Sequence, residues 1–132
     1  MREISFRGIR KDNGKWIYGD LHHCMGGNIQ IWLFSNEGCI NENPIQNVIP
    51  ETIGQYTGLL DVDGLRIYEG DIISCEKYES RLVVFEGGSF QAHGNGGLRP
   101  LRYFPLKNNL QMDMVIIGNV HDNLEILEVK EC

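Results

Sequence analysis

Positive charge is scarce in this chain, cysteines are never paired at a motif spacing, and long apolar runs are missing. Lys and Arg number 12 against 18 Asp and Glu, for a formal net charge of -6. A general grip on phosphate backbones needs clustered cations that release counterions, so this balance argues against broad, non-specific nucleic-acid binding. Cys24, Cys39, Cys75 and Cys132 are widely separated and form no CxxC pair. That spacing fits ordinary thiols in a reducing cytosol and offers neither a disulfide framework nor a familiar zinc site. Arg2 and Glu3 stand where a signal peptide would need an apolar segment, and no stretch approaches the roughly 20 apolar residues of a membrane helix. The expectation is a cytoplasmic protein without membrane association. Helical periodicity is also sparse: only Asn123–Glu128, with Asp122 or Asn123 as N-cap, reads as a short helical turn.

Glycine, in contrast, is abundant, with 16 in 132 residues. It supplies positive φ in tight turns and weakens helices, so this density predicts many short strands joined by turns. Hydrophobic residues at 42% and charged residues at 23% place the chain among soluble globular proteins. At this length roughly two thirds of the unfolded surface can be buried, enough for a core without staples.

Ile4, Phe6 and Gly8 alternate with Ser5 and Arg7, the period-2 pattern of a half-buried strand. Asp12-Asn13-Gly14-Lys15 is a hairpin turn, because Asn-Gly tolerates positive φ, and Trp16–Leu21 is the return strand with Trp16 and Tyr18 on one face. A third strand at Ile29–Phe34 completes an antiparallel meander. Asn41–Pro44 and Pro50 interrupt the pattern, so 41–58 reads as a connector, with one subdomain over residues 1–47 and a second over 48–132 packed against it. In the second, strands at Leu65–Tyr68, Ile72–Lys77, Arg81–Phe85, Phe90–His93 and Met114–Val120 suffice for a small closed barrel. The fold class is all-β. Tyr68-Glu69-Gly70-Asp71 has the look of the turn that opens SH3-like barrels, with Gly70 supplying the unusual backbone and the Asp71 carboxylate accepting backbone N–H groups.

No constellation with clear chemistry stands out. Leu21-His22-His23-Cys24 holds three potential metal ligands, but on a strand His22 and Cys24 face away from His23, and an ordinary strand end accounts for them. Asp61-Val62-Asp63-Gly64 starts like a calcium loop yet has Ile72 where the closing glutamate belongs, so it reads as a turn. Gly94-Asn95-Gly96-Gly97 lacks the Lys-Ser/Thr and helix of a phosphate loop. Ser35, Ser74, Ser80, Ser89, His93 and His121 form no nucleophile signature, and Glu69 with Asp71 reads as a turn rather than an acid/base couple. No catalytic, cofactor or metal residue is predicted, and a non-enzyme is expected. One cationic aromatic stretch, Arg99, Arg102, Tyr103, Phe104 and Lys107, suits phosphate and stacking contacts.

The run Val48-Ile49-Pro50-Glu51-Thr52-Ile53-Gly54-Gln55-Tyr56-Thr57-Gly58, continuing through Asp63-Gly64 to Ile67-Tyr68-Glu69-Gly70-Asp71-Ile72-Ile73, is long enough to be specific. With Met1–Gly8, Trp16–Leu21, Val83–Phe90 and Val115–Val120 it resembles the YopX family over nearly the whole chain. The resemblance implies a phage or prophage origin, hence a bacterial host cytoplasm, an SH3-like barrel in the C-terminal two thirds, and assembly into a homo-oligomer. It carries over no catalytic residue. The chain departs from the family near its end, where His121, Asp122-Asn123 and Leu124 replace an aromatic and a proline around a short helix. The resulting expectation is an oligomeric interaction module that binds a host or phage protein, with a nucleic-acid-binding barrel as the alternative.

Overall fold

The computed structural model describes residues 3–33, 44–75, 78–94, 96–108 and 110–122. Among them the protein is all-β, with two short 3-10 turns and thirteen strands. The chain forms two compact units, Met1–Tyr56 and Thr57–Cys132.

Unit 1 is an antiparallel sheet. Strands β1 (Phe6–Ile9), β2 (Trp16–His23), β3 (Ile29–Leu33) and β4 (Ile45–Asn47) lie in that order, and the first residues of β5 (Gly54–Leu60) pair with β1 on its other side. The β1–β2 hairpin turns where Asn-Gly requires it: Gly14 has φ 71° and the Lys15 N–H donates to Asn13 Oδ1 at 3.0 Å. Period-2 alternation sends Ile17, Leu21, Ile31, Leu33 and Ile29 to one face, where Ile17, Ile31 and Val48 form the core. Opposite them Trp16, Tyr18, Asp20 and His22 share the other face with Trp32. Gly19 is needed in this sheet because a Cβ there would overlap the Trp32 carbonyl. After the isolated Arg10–Val48 bridge, the Pro50–Thr52 turn fastens the sheet through Thr52, whose Oγ1 accepts the Ile9 N–H at 2.9 Å and donates to the Ile49 carbonyl at 2.6 Å.

The stretch read from sequence as a connector thus contains β4 and most of β5. Gly54, Gly58 and Pro50 look like breakers in isolation, but their segment is held by distant partners such as the Ser5 carbonyl, which accepts the Tyr56 N–H at 2.8 Å.

Unit 2 begins within β5 and continues with β6 (Arg66–Tyr68), β7 (Asp71–Cys75), β8 (Tyr78–Glu86), β9 (Ser89–Gly94), β10 (Gly97–Pro100), β11 (Leu106–Asn108), β12 (Gln111–Met112) and β13 (Val115–Asn119). Five strands form one sheet in the order β10-β9-β8-β7-β13, all antiparallel. A smaller ladder joins β11 to β12 and runs β12 parallel to β5, which also takes β6. Among the described residues the strand path is open and no closed barrel forms, which corrects the closed barrel expected from strand count. The last pairing of β10 is at Pro100, which lacks an N–H to extend a ladder, and register shifts at Ile73/Cys75 and Ile116/Gly118 bend the opposite side. The core gathers Ile67, Ile73, Val83, Ala92, Leu101, Phe104, Met112 and Met114. Burying each large apolar side chain contributes about 1.5–3 kcal/mol.

The terminal helical turn expected at 123–128 lies outside the described residues, as do Cys39 and Cys132. Cys24 and Cys75 are free thiols.

Candidate functional site

The two carboxylates singled out from sequence at Asp61 and Asp71 build turns. Gly70 has φ 96°, and the buried Asp71 carboxylate accepts the Tyr68 N–H at 2.7 Å, as the sequence predicts. Asp61 is fully buried. Its Oδ1 accepts the N–H groups of Asp63 and Leu65, each at 2.9 Å, and its Oδ2 accepts that of Ile116 at 3.2 Å. Both oxygens are therefore committed to backbone donors, the arrangement of an Asx turn rather than of a calcium loop. His22 stacks on Trp32 with ring centroids 4.9 Å apart, and His23 lies on the opposite face of the strand. Among the described residues, no group of three or more His, Cys, Asp or Glu side chains gathers to hold a metal.

The cationic aromatic stretch divides. Phe104 is buried in the unit 2 core, with the Arg99 guanidinium 4.6 Å and the Arg81 guanidinium 5.6 Å from its ring centroid. Its face is closed to a nucleobase. Arg99 also donates from Nη2 to the Tyr103 carbonyl at 3.0 Å, so it braces the 3-10 turn at Leu101–Tyr103. Arg102 and Tyr103 remain exposed, the guanidinium lying 5.0 Å from the phenol centroid. Lys107 is exposed on β11, where alternation points it away from the side occupied by Leu106.

Beside Arg102 lies the feature that sequence reasoning missed, a groove of about 280 Å³ within unit 2. Thr57 and Leu59 come from β5, Ser89 and Phe90 from β9, Pro100, Leu101 and Arg102 from the end of β10 and its 3-10 turn, and Leu106 from β11. Thr57 is held by its own bonds, donating from Oγ1 to the Ile67 carbonyl at 2.9 Å and accepting the Leu59 N–H at 3.2 Å. The lining is thus mainly aliphatic and aromatic, with Arg102 and Ser89 as its other polar groups. No single segment carries the groove, but residues 87–112, which supply six of its eight lining residues, contain no Asp or Glu in a chain of net charge -6, and Glu86, paired with Ser89, flanks that segment.

An open, glycine-turned all-β architecture with an apolar groove defines a class of small β modules. The model of the YopX protein family matches residues 5–128, and the chain belongs to that family. Among solved structures it is similar to protein EF1440 from Enterococcus faecalis, with 20% identity over 96% of this chain and 99% of that one and a TM-score of 0.50, a likeness of fold. Comparison with curated proteins finds no match. Among the described residues, no helix is long and apolar enough to cross a membrane.

Proposed function

We propose that this protein is a phage- or prophage-encoded interaction module that works in the cytoplasm of a bacterial host by binding another protein, without catalysing a reaction, and that it self-associates. The apolar groove bordered by Arg102 is the observation that carries this reading, because it offers burial to a partner side chain and one charged group to orient it. Self-association is supported by unit 1, where Tyr18 is 45% and Trp32 42% exposed on one sheet face.

Affinity capture from host lysate with the full chain as bait is expected to yield a partner at fixed stoichiometry, which purified components then reproduce in calorimetry. A capture with no stoichiometric partner, alongside turnover in a substrate screen, would reverse the reading. The exposed Arg102–Tyr103 stack in an acid-free segment favours a second reading, single-stranded nucleic-acid binding. Salt titration separates the two, since phosphate contacts weaken steeply as salt rises.

A further inference from the structure

We infer that the unit 2 groove docks an acidic, apolar peptide segment of a partner protein: one aliphatic or aromatic side chain enters between Leu59, Phe90, Leu101 and Leu106, and a neighbouring carboxylate pairs with Arg102. The inference rests on the protein-binding reading above and adds the chemistry of the partner.

Size, charge and availability support it together. A volume of about 280 Å³ lies just below the roughly 300–1,000 Å³ typical of small-molecule pockets. It has room for one large anchoring side chain. The walls present mostly hydrocarbon and an aromatic ring, with Arg102 and Ser89 as the donors offered, so a nucleobase entering them would leave part of its polar edge without partners. With Phe104 buried, Tyr103 is the exposed aromatic of the stretch, and one platform is a poor track for successive bases.

Charge then selects among apolar peptides. The 87–112 segment carries Arg99, Arg102 and Lys107 and no acidic residue, while the chain as a whole would repel an anion. Of these three cations Arg102 lines the groove. Its guanidinium lies against the Tyr103 ring and makes one long hydrogen bond, from Nη2 to the Tyr103 hydroxyl at 3.4 Å, and with five N–H donors it keeps a pair to grip a carboxylate in bidentate fashion. Ser89, which also lines the groove, adds a hydroxyl as a second donor. Leu106, 46% exposed, marks an accessible flank.

The test pans the full chain against a displayed library of random linear peptides, then titrates fluorescein-labelled selected peptides by anisotropy. Selected peptides should combine Leu, Ile, Phe or Trp with adjacent Asp or Glu. Their affinity should fall more than about tenfold for Leu106→Glu and for Arg102→Glu, the scale of a hot-spot contact, while Lys15→Glu on unit 1 applies the same charge change as Arg102→Glu and leaves it within about twofold. Peptides with Lys in place of their acidic residues should lose wild-type binding and recover it on Arg102→Glu. Melting curves confirm folding, with Arg102→Gln and Leu106→Ser as milder replacements for any variant that unfolds. Peptides that lack acidic residues, peptides indifferent to both groove variants, or an empty selection beside oligothymidylate binding lost in Arg102→Glu would each overturn the inference. A lysate partner that binds both groove variants at wild-type strength would sink this inference and leave the protein-binding reading intact.

Discussion

Buried carboxylates at Asp61 and Asp71 act as fasteners, each replacing water at backbone donors that a turn leaves over. Removing such an acceptor leaves its donors unsatisfied, at about 1–3 kcal/mol each. Asp71→Ala is therefore expected to lower stability by about that amount, and Asp61→Ala by more, since Asp63, Leu65 and Ile116 all donate to it. Gly70→Val should cost more than the ~1 kcal/mol of an ordinary glycine replacement, because a β-branched residue is strained at φ 96°. Urea or thermal melts of the three variants check this, and unchanged midpoints would mean that these turns serve binding instead of folding. Asp12 illustrates the weaker, solvent-facing case. The hydrogen bond from Arg10 holds its carboxyl below the ordinary value. Its contribution is in place above that ordinary value and is lost as pH falls through the lowered one. An NMR titration should place the Asp12 midpoint below that of an exposed reference aspartate and return it upward in Arg10→Gln.

At the scale of elements, the 3-10 turn at Pro50–Thr52 is tied through one hydroxyl to β1, 43 residues away in sequence. Thr52 serves both Ile9 and Ile49, so Thr52→Val, which keeps the shape and removes both bonds, should destabilise by about 1–3 kcal/mol, whereas Thr52→Ser should retain most of the stability. Denaturant midpoints decide it, and equal losses for the two variants would point to packing of the methyl group. Gly19 sets the approach of β2 to β3 in the same unit. Gly19→Ala has no room beside the Trp32 carbonyl, and soluble yield together with the melting midpoint should drop sharply. The meander strands were visible in sequence because their turns are local: Asn13-Gly14 carries its own φ requirement, and Ile17 alternates with Trp16 and Tyr18. By contrast, β5 was hidden, since its Tyr56 is paired to Ser5 and its glycines resemble a loop.

For the whole molecule, open sheets carry a liability that bears on assembly. Exposed Tyr18 and Trp32, beside a half-buried Trp16, give unit 1 an aromatic face, and burying it against a second copy is the expected outcome. Light scattering at micromolar concentration should return a multiple of 15.0 kDa. Trp32→Glu should shift that mass toward the monomer, and a wild-type chain that is already monomeric would refute the self-association.

Sequence alone determined the features whose physics is local. Period-2 alternation made the chain all-β, glycine at positive φ placed the turn at Gly70, and a carboxylate one residue later announced its own hydrogen bond. The long run from Val48 to Ile73 was enough to identify the family. Tertiary structure decided what depends on residues far apart: that the unit 2 sheet stays open among the described residues, that Phe104 lies under two guanidinium groups rather than free to stack, and that Leu59, Phe90, Leu101 and Leu106 meet beside Arg102. A groove is lined by whichever side chains strand pairing brings together, and pairing over such separations leaves no periodic trace in the residues themselves.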